Sequence, residues 1–119
     1  MPDFAAARHQ MVQNQLEPNR VNDMRVASAM EAIPRERFVP EVMAGVAYLD
    51  EDIEIAPGRY LMEPMVFARL LQSADTQGGE IALDIGCVTW YSAAVLASLV
   101  GTVVAVKLTK TWQQKPLKI

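Results

Sequence analysis

The sequence predicts an α/β fold: a helical N-terminal segment followed by one βαβ unit. Three observations carry this. Apolar residues recur at helical spacing in three stretches before position 75. A compact apolar run, Glu80 to Ile85, meets a glycine turn and then a helical pattern, Tyr91 to about Leu99. After Gly101, the β-branched run Thr102 to Val106 reads as a second strand. Strand, helix and strand in that order imply a parallel pair with a right-handed crossover.

The elements follow in order. Phe4, Ala7, Met11, Val12, Gln15 and Leu16 share one helical face, which predicts a helix from about Asp3 to Leu16, ended by Pro18. Asn22 or Asp23 caps a second helix whose stripe is Val26, Ala29, Met30 and Ile33, and Pro34 stops it. In RERFVP, Phe38 and Val39 read as an apolar anchor between prolines. Asp52-Ile53-Glu54-Ile55 alternates like a short edge strand, and Pro57-Gly58 turns the chain. Pro64 suits a first helical turn, with Val66, Phe67, Leu70 and Leu71 as the buried stripe. Gln77-Gly78-Gly79 closes that helix before the βαβ unit begins. From Lys107 the segment KLTKTWQQKPLKI carries no periodicity and reads as an irregular, disordered tail. The organisation is therefore a helical segment over 1–79, a partial α/β core over 80–106, and a tail over 107–119.

Composition narrows the function. The chain has 119 residues, 51% hydrophobic and 21% charged, with a formal net charge of -3, which speaks against a nucleic-acid footprint. Cys87 is the sole cysteine, so no internal disulfide forms and a reducing compartment fits. MPDFAAARHQ lacks the features of a signal peptide, and the longest apolar run falls short of the ~20 residues of a membrane span. A cytoplasmic protein without membrane contact is expected.

The segment ALDIGCVTWYSAAVLA, residues 82–97, raises the question of a ligand. Asp84 at a strand end and Gly86 in a turn before a helix form the opening of a nucleotide-type cofactor loop, though a lone glycine turn also serves ordinary packing. Other chemistry-bearing residues read as structural. His9 is a solvated residue of the first helix, and Cys87 a small buried residue without a partner histidine nearby in sequence. Asp50, Glu51, Asp52 and Glu54 lack the glycine and terminal glutamate of a calcium loop. No metal site is expected. Met11, Met24, Met30, Met43, Met62 and Met65 read as core filling, and Trp112 belongs to the lysine-rich end.

Several blocks in register sharpen the reading. RHQMVQNQL, VASAMEAIPRERFVP, AYLDED, GRYLMEPMVFARLL and ALDIG…YSAAVLA, in this order, resemble protein-L-isoaspartate O-methyltransferases over about residues 4 to 106. The resemblance implies a Rossmann-like methyltransferase domain with a helical N-terminal extension, of which this sequence holds the first βαβ unit with the C-terminal half missing. It also implies S-adenosylmethionine as cofactor and isoaspartyl-containing proteins or peptides as partners. The family's reaction transfers a methyl group to the isoaspartyl α-carboxylate, so that the damaged linkage reverts through a succinimide. The sulfonium carries the activation, and the protein supplies alignment and exclusion of water.

The departures are specific. Against the family's acid-x-Gly-x-Gly-x-Gly loop, Asp84 and Gly86 match, whereas Val88 and Trp90 replace glycines. If Val88 needed positive φ, its branched side chain would cost ~1–3 kcal/mol. Lys107 stands where the family places an acid on the ribose hydroxyls, and lysine only donates. Met62 stands where the family has a serine. The expected cofactor-binding residues are thus Asp84 and Gly86, no catalytic residue is assigned, and methyl transfer by this chain is expected to be weak or absent. The alternative is a non-catalytic remnant, monomeric or weakly associated through the exposed strand Thr102 to Val106.

Overall fold

A computed structural model describes residues 2–107 and 115–118. The chain forms two compact units, Met1–Asp75 and Thr76–Ile119.

The first unit is built from helices and one hairpin. Helix α1 spans Phe4–Met11, and Asp3 caps it by accepting from the Ala6 amide at 3.0 Å. The chain stays helical through a π-helical turn, Val12–Leu16, and a 3-10 turn, Glu17–Asn19, before Arg20 reverses it at φ 67°. The expected helix to Leu16 is thus present, with Met11, Val12 and Leu16 buried. Helix α2, Met24–Ala32, starts at Asp23, whose carboxylate accepts from the Arg25 amide at 2.9 Å. It buries Val26, Ala29 and Met30, three of the four stripe residues.

RERFVP folds as a 3-10 turn over Arg35–Phe38. Its innermost residue is Arg35, fully buried, rather than the expected Phe38, which is half-buried beside a buried Val39. Arg35 donates through Nε to the Ala47 carbonyl at 2.6 Å and through Nη2 to that of Met62 at 2.9 Å. A buried cation is tolerated because carbonyl oxygens replace its water. It ties the 3-10 segment Glu41–Val46 and the approach to the next helix onto one point. Above it, Tyr48 Oη donates to Glu36 Oε1 at 2.5 Å and accepts from Arg8 Nη1 at 3.4 Å. Burial and the neighbouring Glu36 carboxylate push the Tyr48 phenol well above its ordinary range.

Strands β1, Ile53–Ala56, and β2, Arg59–Leu61, form an antiparallel hairpin around Gly58 at φ +70°. The sequence marked β1 and the turn; β2, only three residues long, carried no periodicity to find. Helix α3 spans Pro64–Ala74 with Pro64 in its first turn. Its buried face is Pro64, Ala68 and Leu71, whereas Leu70 is exposed, so the expected stripe is rotated by about one residue. Met11 and Met30 fill core as expected, but Met24 and Met62 lie at the surface.

The second unit is the βαβ element. Strand β3, Ile81–Ile85, pairs parallel with strand β4, Thr102–Lys107, in the register Ile81↔Thr102 to Ile85↔Val106. Helix α4, Tyr91–Ala97, crosses between them, and Val103 and Ala105 are fully buried. Gly101 marks the re-entry to the sheet: a Cβ there would lie 2.9 Å from the Gly78 carbonyl oxygen, so only glycine fits.

The tail brings a difference. Strand β5, Lys115–Lys118, pairs antiparallel with β4, giving the sheet order β3-β4-β5. The irregular tail expected over 107–119 is therefore a strand at those four positions, and Lys107 belongs to β4. The remaining residues of that tail, Trp112 among them, lie outside the described residues. Thr102 to Val106, expected to offer an unpaired edge, has a neighbour on both sides. Among the described residues, β3 and β5 are the outer strands of this sheet.

Candidate cofactor loop

The loop between β3 and α4 takes its shape from the sheet. The Gly86 amide donates to the Val106 carbonyl at 2.7 Å, which carries β3–β4 pairing one residue into the loop. Gly86 then turns at φ +78°, a conformation that favours glycine. Cys87 drops beneath the turn, 5% exposed, with its thiol directed at the Val106 carbonyl at 3.8 Å. Burial, and secondarily the charge of Asp84, push that thiol up, so it stays protonated near neutral pH. Cys87 is the small buried residue that the sequence suggested.

Trp90 closes the loop. It precedes α4 at φ +70°, the left-handed region, and is half-buried. The condition set for Val88 is not met, since that β-branched residue in place of a glycine does not adopt positive φ. The backbone strain sits two residues later, on Trp90. Sequence alone could not separate the two, because both stand where the family pattern has glycine.

Asp84 lies on the face of β3 next to α4, half-buried. Its Oδ2 accepts a hydrogen bond from Ser92 Oγ at 2.5 Å, which spans the loop from strand to helix. Ser92 was not singled out from the sequence; its signal is only its place one residue inside the helix. Asp84 and Gly86 thus flank one turn, while Lys107 ends β4. The hydroxyl of Thr89 in the same loop is buried without a hydrogen-bond partner among the described residues.

The other candidates lie elsewhere. His9 is exposed and pairs with Glu31. In the acidic segment, Asp52 Oδ1 accepts from the Glu63 amide at 2.9 Å, and the hydrogen bond that a protonated Glu63 carboxyl donates to the Asp50 carboxylate raises Glu63 above its ordinary range. Met62 is partly exposed, with its carbonyl engaged by Arg35. Among the described residues, no group of three acidic, histidine or cysteine side chains converges as metal ligands. None of their helices is long and apolar enough to cross a membrane.

Residues 6–115 match the family model described as protein-L-isoaspartate(D-aspartate) O-methyltransferase (PCMT). The chain is 44% identical over 101 residues to protein-L-isoaspartate O-methyltransferase 2 of Anaeromyxobacter sp. (strain Fw109-5), covering 85% of this chain and 42% of that protein. It is 42% identical over 97 residues to protein-L-isoaspartate O-methyltransferase 2 of Marinobacter nauticus, covering 82% of this chain and 44% of the relative. A solved protein-L-isoaspartate O-methyltransferase superposes with a TM-score of 0.70 at 26% identity, over 88% of this chain and 35% of its own. A Plasmodium falciparum candidate protein-L-isoaspartate O-methyltransferase, solved with S-adenosyl-L-homocysteine, gives a TM-score of 0.72 at 18% identity. That second likeness concerns the fold. The chain spans less than half the length of these curated relatives.

Proposed function

Because the chain belongs to the protein-L-isoaspartate(D-aspartate) O-methyltransferase family, we propose that it retains the family's cofactor loop in backbone form while binding S-adenosylmethionine weakly or not at all. The family's reaction moves a methyl group from that cofactor to the carboxylate of an isoaspartyl residue in a damaged protein. Asp84 and Gly86 are the two positions at which this chain keeps the family's loop.

The side chains do not fit the cofactor. The observation that carries this is Trp90 at φ +70°, where the family pattern has a glycine: the backbone turn is made by a residue that brings a bulky indole in place of a bare Cα. Lys107, where the family has an acid, has only donors to offer a pair of ribose hydroxyls, and its charge opposes a sulfonium. One Asp84 oxygen is already engaged by Ser92. These side chains therefore give no support to methyl transfer at this site. The setting that suits the chain is cytoplasmic, with damaged proteins as the family's partners.

Calorimetric titration with S-adenosylmethionine and S-adenosylhomocysteine tests the reading. No heat is expected at about 100 µM ligand from a sample shown folded by circular dichroism. A dissociation constant in the low micromolar range would overturn it.

A further inference from the structure

A side chain of α3 reaches the turn that precedes α2. Gln72 stands in the last turn of α3, and its amide group meets backbone groups 49 to 52 residues earlier in the chain. Its Oε1 accepts from the Asn22 and Asp23 amides, each at 2.8 Å. Its Nε2 donates to the Arg20 carbonyl, also at 2.8 Å. A glutamine amide offers an acceptor and a donor side by side, so one side chain serves both ends of the turn.

The turn needs such a partner. Arg20 reverses the chain at φ 67°, which is costly for a residue with a Cβ. The Asn22 and Asp23 amides lie ahead of α2, where the helix offers them no acceptor. A second link joins the same helix ends. Arg25 donates to its cap Asp23 at 3.1 Å and stands 3.6 Å from Asp75, the residue that ends α3. Arg25 and Asp75 are 46% and 78% exposed, so this ion pair adds little and Gln72 carries the connection. All of these residues belong to the first unit, so the link is complete within it.

We propose that Gln72 is a conformational clasp: the Arg20–Asp23 turn and the last turn of α3 come free together, as one local opening. Helix ends fray at small cost, whereas interiors open only at much larger free energies. The Asp75 amide donates to the Gln72 carbonyl at 3.2 Å. One residue therefore holds the end of α3 through its backbone and the turn through its side chain. When the last turn of α3 frays, the Asn22 and Asp23 amides lose their acceptor with it. The coupling is reciprocal: a closed turn holds Gln72 in its helical place and suppresses fraying of α3. The clasp thereby fixes the point at which α3 ends and the chain passes, at Thr76, into the second unit. It does not depend on the cofactor loop binding anything.

Native-state hydrogen exchange of the full chain, followed residue by residue by NMR, reads the coupling. In the parent, the Asn22, Asp23 and Asp75 amides should share one opening equilibrium with one urea dependence. The Met30 amide, inside α2, should be far better protected. Gln72→Met removes the three hydrogen bonds while matching glutamine in length and helix propensity. It should speed exchange at Asn22 and Asp23 about tenfold and at Asp75 about threefold, with Met30 unchanged. The parent comparison stands by itself even if the variant fails to fold. Separate openings for the turn and for Asp75 in the parent would overturn the proposal. So would unchanged exchange at Asn22 and Asp23 in Gln72→Met, unchanged exchange at Asp75, or an equal acceleration at Met30.

Discussion

Trp90 offers the sharpest check on the loop, because two energetic terms there can be separated by one pair of variants. Trp90 is half-buried, so truncating it returns ~100 Å² of apolar surface to water, or ~2.5 kcal/mol at ~25 cal/mol/Å². Trp90→Ala and Trp90→Gly lose this alike. They differ in what the backbone at φ +70° demands. Alanine still carries a Cβ in the left-handed region, at ~1–2 kcal/mol, whereas glycine does not. Glycine costs more chain entropy on folding, which trims its advantage. Trp90→Gly is thus expected to be more stable than Trp90→Ala by about 1 kcal/mol, although both fall below the parent. At Val88, which lacks positive φ, the order reverses and Val88→Ala exceeds Val88→Gly by ~0.4–1 kcal/mol. Urea unfolding followed by far-UV circular dichroism measures all four, with unchanged m-values as the control. If Trp90→Ala equals or exceeds Trp90→Gly, or both positions show the same order, the assignment of strain to Trp90 is wrong.

Two further outcomes follow from packing and charge. Gly101→Ala puts a Cβ 2.9 Å from the Gly78 carbonyl oxygen and should cost ~1–3 kcal/mol, seen as a melting temperature lower by several degrees. Gly45→Ala, where a Cβ meets nothing within 4 Å, should be neutral or slightly stabilising. The raised Tyr48 phenol sets a pH dependence. The fold favours the protonated phenol, so the stability it contributes is complete below the ordinary tyrosine value of ~10 and is lost as pH climbs above it. Chemical denaturation across the alkaline range should show that decline in the parent and a flatter curve in Tyr48→Phe.

Long periodic segments were legible in the sequence because one physical term dominates each. α1 and α2 follow their apolar spacing and caps at Asp3 and Asp23, and β3 and β4 follow their apolar and β-branched runs. What escaped depends on partners distant in sequence. Arg35 looks like a surface charge in RERFVP, yet the carbonyls of Ala47 and Met62 make its burial tolerable. Strand β5 carries lysines and a proline and has no periodicity; its identity comes from pairing with β4. At the loop, the strand end at Asp84 and the turn at Gly86 were readable from the apolar run and the glycine. Ser92 was not, since a serine in a first helical turn is ordinary until a carboxylate stands 2.5 Å away.

The loop's course can be accounted for without a ligand. Its backbone course is fixed from outside the ligand's reach. The Gly86–Val106 hydrogen bond sets where the strand ends, and the sheet beneath α4 sets where the helix begins. With both ends held, the chain must turn between them, and Trp90 accepts a left-handed conformation at a cost of ~1–2 kcal/mol, small against the packing that α4 and β4 supply. The turn can thus be made at Trp90 without a glycine. High superposition with a methyltransferase is what these forces produce whether or not a cofactor is held. Side chains that this course does not need are where sequence can change while the fold stays put, whereas Gly86 and Asp84 are also held by the Val106 carbonyl and by Ser92.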